Sequence, residues 1–359
     1  MWRRFLAAVS LVGVVTAMGT ASSTVASAST LGSLGDANSD SFATAINDRG
    51  QAVGWFTLPN GGPSHAFLWD PNSGARDLGA GTGVASQAFG INNEGQVVGA
   101  FYDQFQDAHA FIWDAANGMR NLGTLPGGLS SVAVGINDAG VVVGTADTPP
   151  QPPSNTNFFH AFIWDPAHGM RDLGSPGGPQ GNVEAYAINR RGVAVGGPNA
   201  FVWSSAAGMR DLLGVISGGA GYSIATAINQ KGQVAGSYGL ASAAGQVDHA
   251  FLWDSKTGLR DLGTEGGASY SFAYGLNNNA EVAGELDWAS GSYNAFYWAA
   301  RTGMVNLGTL GGRYSSARGI NKSGEVVGFA SVPSTSPFGT FHAFVWTSER
   351  GMEDLTVLG

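Results

Sequence analysis

Fifteen residues, HAFIWDAANGMRNLG at 109–123, recur with few changes as HAFLWDPNSGARDLG at 65–79 and as HAFIWDPAHGMRDLG at 160–174. A second motif, such as GINNEG at 90–95, precedes each copy, and a short apolar run resembling QVVG lies between the two. The complete pattern occurs seven times with a period of 40 to 52 residues. Copies of one unit indicate a repeat architecture, in which each unit buries its apolar surface against its neighbours.

Each unit predicts four short strands. The first alternates small residues with mostly larger ones, as in SQAFGIN at 86–92, which is the two-residue period of a pleated strand. Runs resembling QVVG, AFLW and MRDLG predict the other three strands. In the Asn-x-x-Gly turn, the Asn side chain is expected to hydrogen-bond the turn backbone, and Gly to adopt a positive φ. Ala280 replaces this Gly in the sixth unit, so Asn279 is expected to be left-handed there.

The fold class predicted is all-β, a seven-bladed β-propeller of four-stranded antiparallel blades, because strands that are apolar on both faces need neighbours on both sides. A content of 56 Gly with only 12% charged residues agrees with many short strands and tight turns. Residues 29–359 are expected to form one domain. Its blades are placed at about 41–79, 86–123, 131–174, 183–214, 223–263, 271–308 and 315–359. STLGSLG at 29–35 copies part of a fourth strand and is expected to pair beside MEDLTVLG at 352–359, closing the ring.

Two resemblances accompany this pattern. The Trp-Asp-turn-Gly hairpin resembles the hairpin of the third and fourth strands in WD-repeat propellers. LGTLGGRYSSARGINKSGEVVG at 307–328, with the His-Ala-Phe motifs, resembles the bacterial extracellular repeat family named for His-Ala-Phe, and the likeness covers essentially all of residues 30–359. It implies an exported repeat protein and carries no general activity with it.

The N-terminus has the layout of a secretory signal peptide. A basic MWRR, an apolar FLAAVSLVGVVTAMG and a small-residue ASA predict a signal peptide at 1–28 with cleavage near Ala28, so the chain is expected to be extracellular or periplasmic. No second hydrophobic span follows, so no membrane span is expected in the mature chain. Without Arg3 and Arg4, 15 of the 17 basic residues remain against 26 acidic ones, a balance that disfavours nucleic acid as a partner. The absence of Cys excludes disulfides and thiolate metal sites.

Titratable residues within the repeat are expected to be structural. His precedes Ala-Phe in five units, whereas Asn199 and Asn294 stand there in the other two. The five are His65, His109, His160, His249 and His342. A reaction needs one catalytic His, and Asn does not titrate, so this position is expected to supply hydrogen bonds. Asp36, Asn38 and Asp40 have the spacing of a calcium loop, but the residues that follow depart from that motif, and no metal or cofactor is predicted.

Loop lengths point to a binding face. Between the second and third strands, the distance from the Gly of QVVG to the Ala of Ala-Phe varies from 4 to 17 residues, whereas the two flanking turns keep fixed lengths. Insertions collected on one face predict a surface for an extracellular glycan or protein, and aromatic residues beside carboxylates suit either ligand. The alternative is that these aromatics fold back onto the blades. The candidate binding residues are Trp55, Phe56, Phe101, Tyr102, Asp103, Asp107, Tyr238, Asp248, Asp287, Trp288 and Tyr293.

The resulting hypothesis is an exported monomer that acts as a binding or scaffold module. A carbohydrate-active hydrolase or lyase is the alternative, because Glu184 and Arg318 break the repeat on the first strand and acids stand in the loops. Those acids are Asp103, Asp107, Glu285 and Asp287. No catalytic residue is assigned, and a structural envelope protein without a discrete ligand is the third hypothesis.

Overall fold

Seven antiparallel sheets surround a central axis in the computed structural model, which describes residues 30–31, 39–150, 157–175, 181–212, 219–242, 245–334 and 339–356. Six sheets contain four strands in chain order, and the sheet nearest the N-terminus contains a fifth. The predicted seven-bladed β-propeller is therefore confirmed. Among the described residues, no helix is long and apolar enough to cross a membrane.

The blades share one plan, and blades 1 to 7 are numbered in chain order. The inner strands are β2 (Ser41–Ile46), β6 (Ala85–Ile91), β10 (Ser131–Ile136), β14 (Glu184–Ile188), β18 (Gly219–Ile228), β22 (Tyr270–Leu276) and β26 (Ser315–Ile320). The second strands are β3 (Ala52–Thr57), β7 (Val97–Tyr102), β11 (Val142–Thr148), β15 (Ala194–Gly197), β19 (Val234–Ser242), β23 (Val282–Asp287) and β27 (Val326–Val332). The third strands are β4 (Ser64–Asp70), β8 (Ala108–Asp114), β12 (Phe158–Asp165), β16 (Phe201–Ser204), β20 (Gly245–Asp254), β24 (Tyr293–Ala299) and β28 (Thr340–Thr347). The outer strands are β5 (Gly74–Gly79), β9 (Gly118–Asn121), β13 (Gly169–Asp172), β17 (Gly208–Asp211), β21 (Gly258–Gly263), β25 (Gly303–Asn306) and β29 (Gly351–Asp354), and a 3-10 turn spans Pro59–Gly61.

Among the described residues, no strand is exchanged between the first and last blades. β1 (Thr30–Leu31) pairs antiparallel with β5 of its own blade, with Thr30 opposite Arg76. The expected pairing beside the C-terminal strand is therefore wrong for Thr30 and Leu31, and the rest of the segment at 29–35 lies outside the described residues. Its sequence copies an outer strand, and every blade presents the edge of such a strand, so the pattern did not distinguish between those edges.

Hydrogen bonds from backbone N–H groups to serine hydroxyls join the blades instead. Ser41 begins β2, and its Oγ accepts a hydrogen bond from Ala343 N of blade 7 at 2.9 Å. The equivalent serines Ser86, Ser131, Ser223, Ser271 and Ser315 accept from the Ala of the preceding Ala-Phe at 2.8–2.9 Å. The closing junction therefore has the same chemistry as five of the six internal ones, and in blade 4 Val183 occupies the serine position.

Two repeated residues set the packing inside each blade. The Phe of Ala-Phe is fully buried in all seven blades, at 0–1% exposure. The Gly that ends QVVG lies against the bulged first strand, where an added Cβ would stand 1.8–2.0 Å from a carbonyl oxygen. These glycines are Gly54, Gly99, Gly144, Gly196, Gly236, Gly284 and Gly328. A side chain at this position would displace the inner strand, so only Gly fits.

The Asn of the Asn-x-x-Gly turn has two roles. Its Oδ1 accepts from the backbone N of the residues two and four positions later, as in Asn137 with Ala139 and Val141 at 3.0 Å each. Its Nδ2 donates to the backbone carbonyl of the corresponding Asn in the next blade. These Asn-to-Asn bonds run from residue 47 to 92, 137, 189, 229, 277, 321 and back to 47, at 2.9–3.3 Å. The first role was predicted from the sequence; the closed ring between blades was not.

The sixth unit departs from the predicted turn. Ala280 itself adopts φ +62°, and Asn279 is not among the residues with positive φ. The expectation that Asn279 would be left-handed is therefore wrong. Asn277 holds the turn from both ends, accepting from Asn279 N at 2.9 Å and Glu281 N at 3.0 Å, so Ala280 is kept in the conformation that Gly has elsewhere.

The repeated His clasps the third and outer strands of a blade. In four blades its Nδ1 lies 2.6–3.0 Å from the Asp that stands twelve residues later. The pairs are His65–Asp77, His160–Asp172, His249–Asp261 and His342–Asp354. Asn121 replaces that Asp in blade 2, and His109 instead lies 3.4 Å from Asp103. These contacts support the structural interpretation of the His-Ala-Phe motif.

Candidate functional site

The propeller has two unlike faces. The loop face carries the connections between second and third strands and those between blades, and the inner strands begin there. The turn face carries the Asn ring. A belt of seven aliphatic side chains near the axis lines two cavities, one of about 330 Å³ toward the loop face and one of about 210 Å³ at the Asn ring. The belt consists of Ile46, Ile91, Ile136, Ile188, Ile228, Leu276 and Ile320.

The larger cavity, here called the axial cavity, is where the repeat is least regular. Each inner strand contributes one side chain two residues before the belt. Blades 1, 2, 3 and 5 contribute Thr44, Phe89, Val134 and Thr226, and blades 4, 6 and 7 contribute Tyr186, Tyr274 and Arg318. Thr44 donates to Val53 O and Ala88 O, so Thr serves the blade structure at this position. The side chains of blades 4, 6 and 7 give the cavity a polar, aromatic side.

Arg318 is the one guanidinium among the described residues that line this cavity. Its Cζ lies 4.1 Å from the centroid of the Tyr274 ring and 5.2 Å from that of Phe329. Its Nη2 lies 3.7 Å from Glu285 Oε2, and the two side chains are 18% and 12% exposed. Its buried Nε has no hydrogen-bond partner among the described residues. The guanidinium also hydrogen-bonds the Tyr274 side chain, so it lies between two rings with its Nε unsatisfied among the described residues.

Carboxyls lie near the polar side chains that line the cavity, although the described residues that line it include no Asp or Glu. Tyr186 Oη donates to Glu184 Oε2 at 2.6 Å. Burial raises the pKa of Glu184, and the Tyr186 hydrogen bond opposes that shift only in part. Burial likewise raises the pKa of Tyr274, and the charges of Glu285 and Asp287 add to this while Arg318 opposes it.

The electrostatic influence of these charged groups extends to Tyr222 on blade 5 and to Tyr293 at the start of β24 in blade 6. Burial and the charge of Asp248 raise the pKa of Tyr222, and Glu184 adds to the effect. Burial and the charge of Glu285 raise the pKa of Tyr293. Blades 4, 5, 6 and 7 therefore contribute to one electrostatic neighbourhood near the axis.

Aromatic rings continue this neighbourhood to blade 1. Tyr293 stacks on Tyr314 with centroids 4.9 Å apart, and Tyr314 lies 6.3 Å from Phe341. Phe341 stacks on Phe42 at 5.9 Å, and Phe42 meets Trp55 edge to face at 3.9 Å. We call the residues joined here the axial cluster. They are Glu184, Tyr186, Tyr222, Asp248, Tyr274, Glu285, Asp287, Arg318, Tyr293, Tyr314, Phe341, Phe42 and Trp55.

Most residues predicted to line loops lie on strands instead. Trp55 and Phe56 belong to β3, Phe101 and Tyr102 to β7, and Tyr238 to β19. All five side chains are buried, at 1–8% exposure, so they pack onto the blades as the alternative interpretation anticipated. The second strands simply continue past the QVVG motif, which shortens the loops.

The remaining predicted residues divide into two groups. Asp248, Asp287 and Tyr293 belong to the axial cluster. Asp103 and Asp107 lie in the loop of blade 2, where Asp103 Oδ1 accepts from Phe105 N at 2.8 Å and Asp107 N at 3.0 Å. Trp288 Nε1 donates to Gly266 O at 3.1 Å, so this ring is tied to the loop between blades 5 and 6.

The sequence singled out part of the axial cluster. Glu184 and Arg318 were recognised because they break the repeat, whereas Tyr186 and Tyr274 passed as ordinary large residues beside Phe89. Comparing the polarity of that one position across all blades would have found them.

No set of acidic and histidine side chains that could hold a metal ion occurs in the part of the chain that the structure describes. Asp36 and Asn38 of the calcium-like motif lie outside the described residues. Asp40 accepts a hydrogen bond from Phe341 N at 2.9 Å through Oδ1, a contact that helps to join blades 7 and 1.

Comparisons with known proteins bear on the fold alone. No family model matches the chain, and no curated protein matches it. The β-propeller domain of the Trilobed protease from Pyrococcus furiosus, described as having an open velcro topology, is similar over 88% of this chain and 96% of its own, with a TM-score of 0.57 and 11% identity. The fold is that of known β-propellers.

Two further solved structures resemble the chain over 88% of its length. They are the Pyrococcus horikoshii acylaminoacyl peptidase, at 8% identity with a TM-score of 0.59, and a puromycin hydrolase, at 14% identity with a TM-score of 0.55. This chain spans only about half of each of those proteins, 52% and 53%. At such identities the likeness concerns the propeller alone.

Proposed function

We propose that this protein is an exported member of the His-Ala-Phe repeat family, and that it binds an extracellular glycan at the axial opening of its loop face. One observation carries the proposal: the side chains that break the repeat converge on the axial cluster. The repeated Ser, Gly, Phe, Asn and His residues are engaged in packing or in hydrogen bonds within and between blades. Blade 3 builds the same inner strand with Val132 and Val134 where blade 4 has Glu184 and Tyr186, so the propeller fold does not require the polar pair.

The chemistry of the cluster suits a carbohydrate. Aromatic rings pack on the apolar faces of sugar rings, while carboxylate and guanidinium groups hydrogen-bond hydroxyls. The cavity of about 330 Å³ falls within the usual range of small-molecule sites, about 300–1,000 Å³. The hydrolase or lyase hypothesis lacks comparable support, because Glu184 hydrogen-bonds Tyr186 and Asp103 pairs with His109 of its own blade.

A glycan array screened with the purified protein and two variants tests this proposal. Glu184→Val with Tyr186→Val gives blade 4 the residues of blade 3, so the fold is expected to survive while binding is lost. Phe105→Ala is the matched control, because this side chain is 76% exposed on the blade 2 loop, away from the axial cluster. Loss of binding in the control alone would place the site on the peripheral loops. A folded protein that binds no glycan on the array, but is captured by a protein partner, would refute the carbohydrate proposal.

A further inference from the structure

The charge pattern around Arg318 selects among glycan classes. An Arg side chain presents five N–H donors in a planar fork and has no acceptor. In this structure the Glu285 contact is long, at 3.7 Å, and the buried Nε has no hydrogen-bond partner among the described residues. A buried charged donor without an acceptor is costly, so the site favours a ligand that brings an oxygen acceptor to this guanidinium.

The carboxyls near Arg318 disfavour a ligand whose acceptor group carries a full negative charge. The axial cluster contains four carboxyls, those of Glu184, Asp248, Glu285 and Asp287, against the single guanidinium of Arg318. The whole chain is also acidic, with a formal net charge of -9. A carboxylate or sulfate on the ligand would gain the contact to Arg318 and be repelled by its neighbours, in surroundings where charges are weakly screened.

A protonated amine is the opposite case. It is attracted by the carboxyls, but it has donors only and leaves the buried Nε of Arg318 without an acceptor. The preferred face of Tyr274 for a cation is already occupied, since Arg318 lies over that ring at 4.1 Å. Arg318 therefore takes the place that a ligand cation would use.

We propose that the axial cavity binds the uncharged part of a saccharide, with Arg318 donating to a hydroxyl or ring oxygen of the sugar. The apolar side of the cavity, formed by Phe89 and Val134 above the aliphatic belt, faces the C–H surface of the sugar. This inference rests on the proposed function, since it specifies which glycans the same site selects.

Matched oligosaccharides test the charge selection. The probes are a trimer of β-1,4-linked N-acetylglucosamine, the same trimer with free amines, and α-1,4-linked trimers of galactose and of galacturonic acid. Isothermal titration at low and physiological salt is expected to give at least tenfold tighter binding for an uncharged trimer than for its charged counterpart. Tightest binding of the acidic or the amine trimer would overturn the inference and leave glycan binding standing. No binding of any trimer or of any glycan on the array would instead refute the proposed function.

Variants at Arg318 test its role directly. Arg318→Thr restores the residue that blades 1 and 5 use at this position and is expected to weaken binding of the uncharged trimer at least tenfold. Arg318→Lys keeps the charge but not the planar fork, and is expected to recover less than half of the lost affinity on a logarithmic scale. Arg120→Thr is the control, because Arg120 pairs with Asp114 on an exposed outer strand. Unchanged affinity in both Arg318 variants, with folding verified by near-UV circular dichroism, would contradict the assignment.

Discussion

The Asn ring offers the sharpest test of how the blades are held together. Asn137 is buried, and its side chain makes three hydrogen bonds, each 3.0 Å long: it accepts from Ala139 N and Val141 N and donates to Asn189 O. Each such bond contributes about 0.5–1.5 kcal/mol, and stranding buried backbone donors costs about 1–3 kcal/mol more. Asn137→Ala is therefore expected to lower the free energy of unfolding by about 3–5 kcal/mol. With an m value of roughly 3–4 kcal/mol/M, the urea midpoint falls by about 1 M.

Asn137→Asp separates the turn from the contact between blades. The carboxylate retains an acceptor for Ala139 N and Val141 N but places an oxygen against Asn189 O, where the amide donated. Burial and that carbonyl should raise the pKa of the new carboxyl, so the folded state takes up a proton more readily than the unfolded state. The difference in free energy of unfolding between Asn137→Asp and the natural protein is then expected to shrink as pH falls, because the protonated acid can donate to Asn189 O again. The deficit of Asn137→Ala should not follow this trend.

Urea unfolding followed by tryptophan fluorescence at several pH values measures both variants, with the natural protein measured beside them at each pH. Asn117→Ala is the control, because its hydrogen bonds to Asp114 are exposed and its loss is expected to stay within about 0.5 kcal/mol. A pH-independent deficit for Asn137→Asp, or a deficit no larger than the control for Asn137→Ala, would refute the proposed contribution of the ring.

Three further predictions concern the repeat itself. Ala280→Gly removes the strain of φ +62° and should raise the free energy of unfolding by about 1 kcal/mol. Gly324→Ala, at φ +80° in the next blade, should lower it by a similar amount. The urea midpoints of both variants measure these changes, and shifts in the same direction would contradict the prediction. Gly99→Ala places a Cβ 2.0 Å from a carbonyl oxygen and should cost about 3 kcal/mol or more, seen as a loss of soluble folded protein. The third prediction concerns Asp354. Burial raises the pKa of its carboxyl, but hydrogen bonds from His342 and Thr356 outweigh this and lower the pKa below 3.8. The stabilisation from this depressed carboxyl pKa is present above pH 3.8 and is lost as pH falls through the folded-state pKa. Asp354→Asn should therefore have a lower free energy of unfolding than the natural protein at neutral pH, and the two should converge in acid. A difference that stays constant with pH would contradict this.

The sequence was sufficient for the fold because its pattern records packing directly. The period, the alternation on the first strand and the turn residues each reflect one backbone requirement, and together they predicted seven four-stranded blades. Gly99 and its equivalents looked like the end of an apolar run, because nothing in one sequence reveals that a neighbouring carbonyl lies within 2.0 Å of the position. The partner of β1 was mistaken for a related reason, since all outer strands look alike and only their arrangement in space distinguishes them.

The candidate site was harder to predict, because it depends on where strands end and on contacts between blades. Trp55 and Tyr102 look like loop residues after Gly, yet they continue β3 and β7 and are buried. Arg318 was recognised as a break in the repeat, but its contact with Glu285 crosses from blade 7 to blade 6, and no sequence spacing encodes that distance.

Repetition also determines where a single site can form. A residue changed on an outer strand stands alone at the rim, because equivalent positions on different blades point away from one another there. Near the axis the equivalent positions converge, so single changes such as Glu184, Tyr274 and Arg318 come within electrostatic reach even though they belong to different blades. A repeated residue that changes loses a packing or hydrogen-bond contact of its blade, whereas the axial position accepts Thr, Phe, Val, Tyr or Arg in one ring. Replacing an axial residue by its counterpart from another blade should therefore alter binding and leave the propeller intact, and replacing a repeated residue should do the reverse.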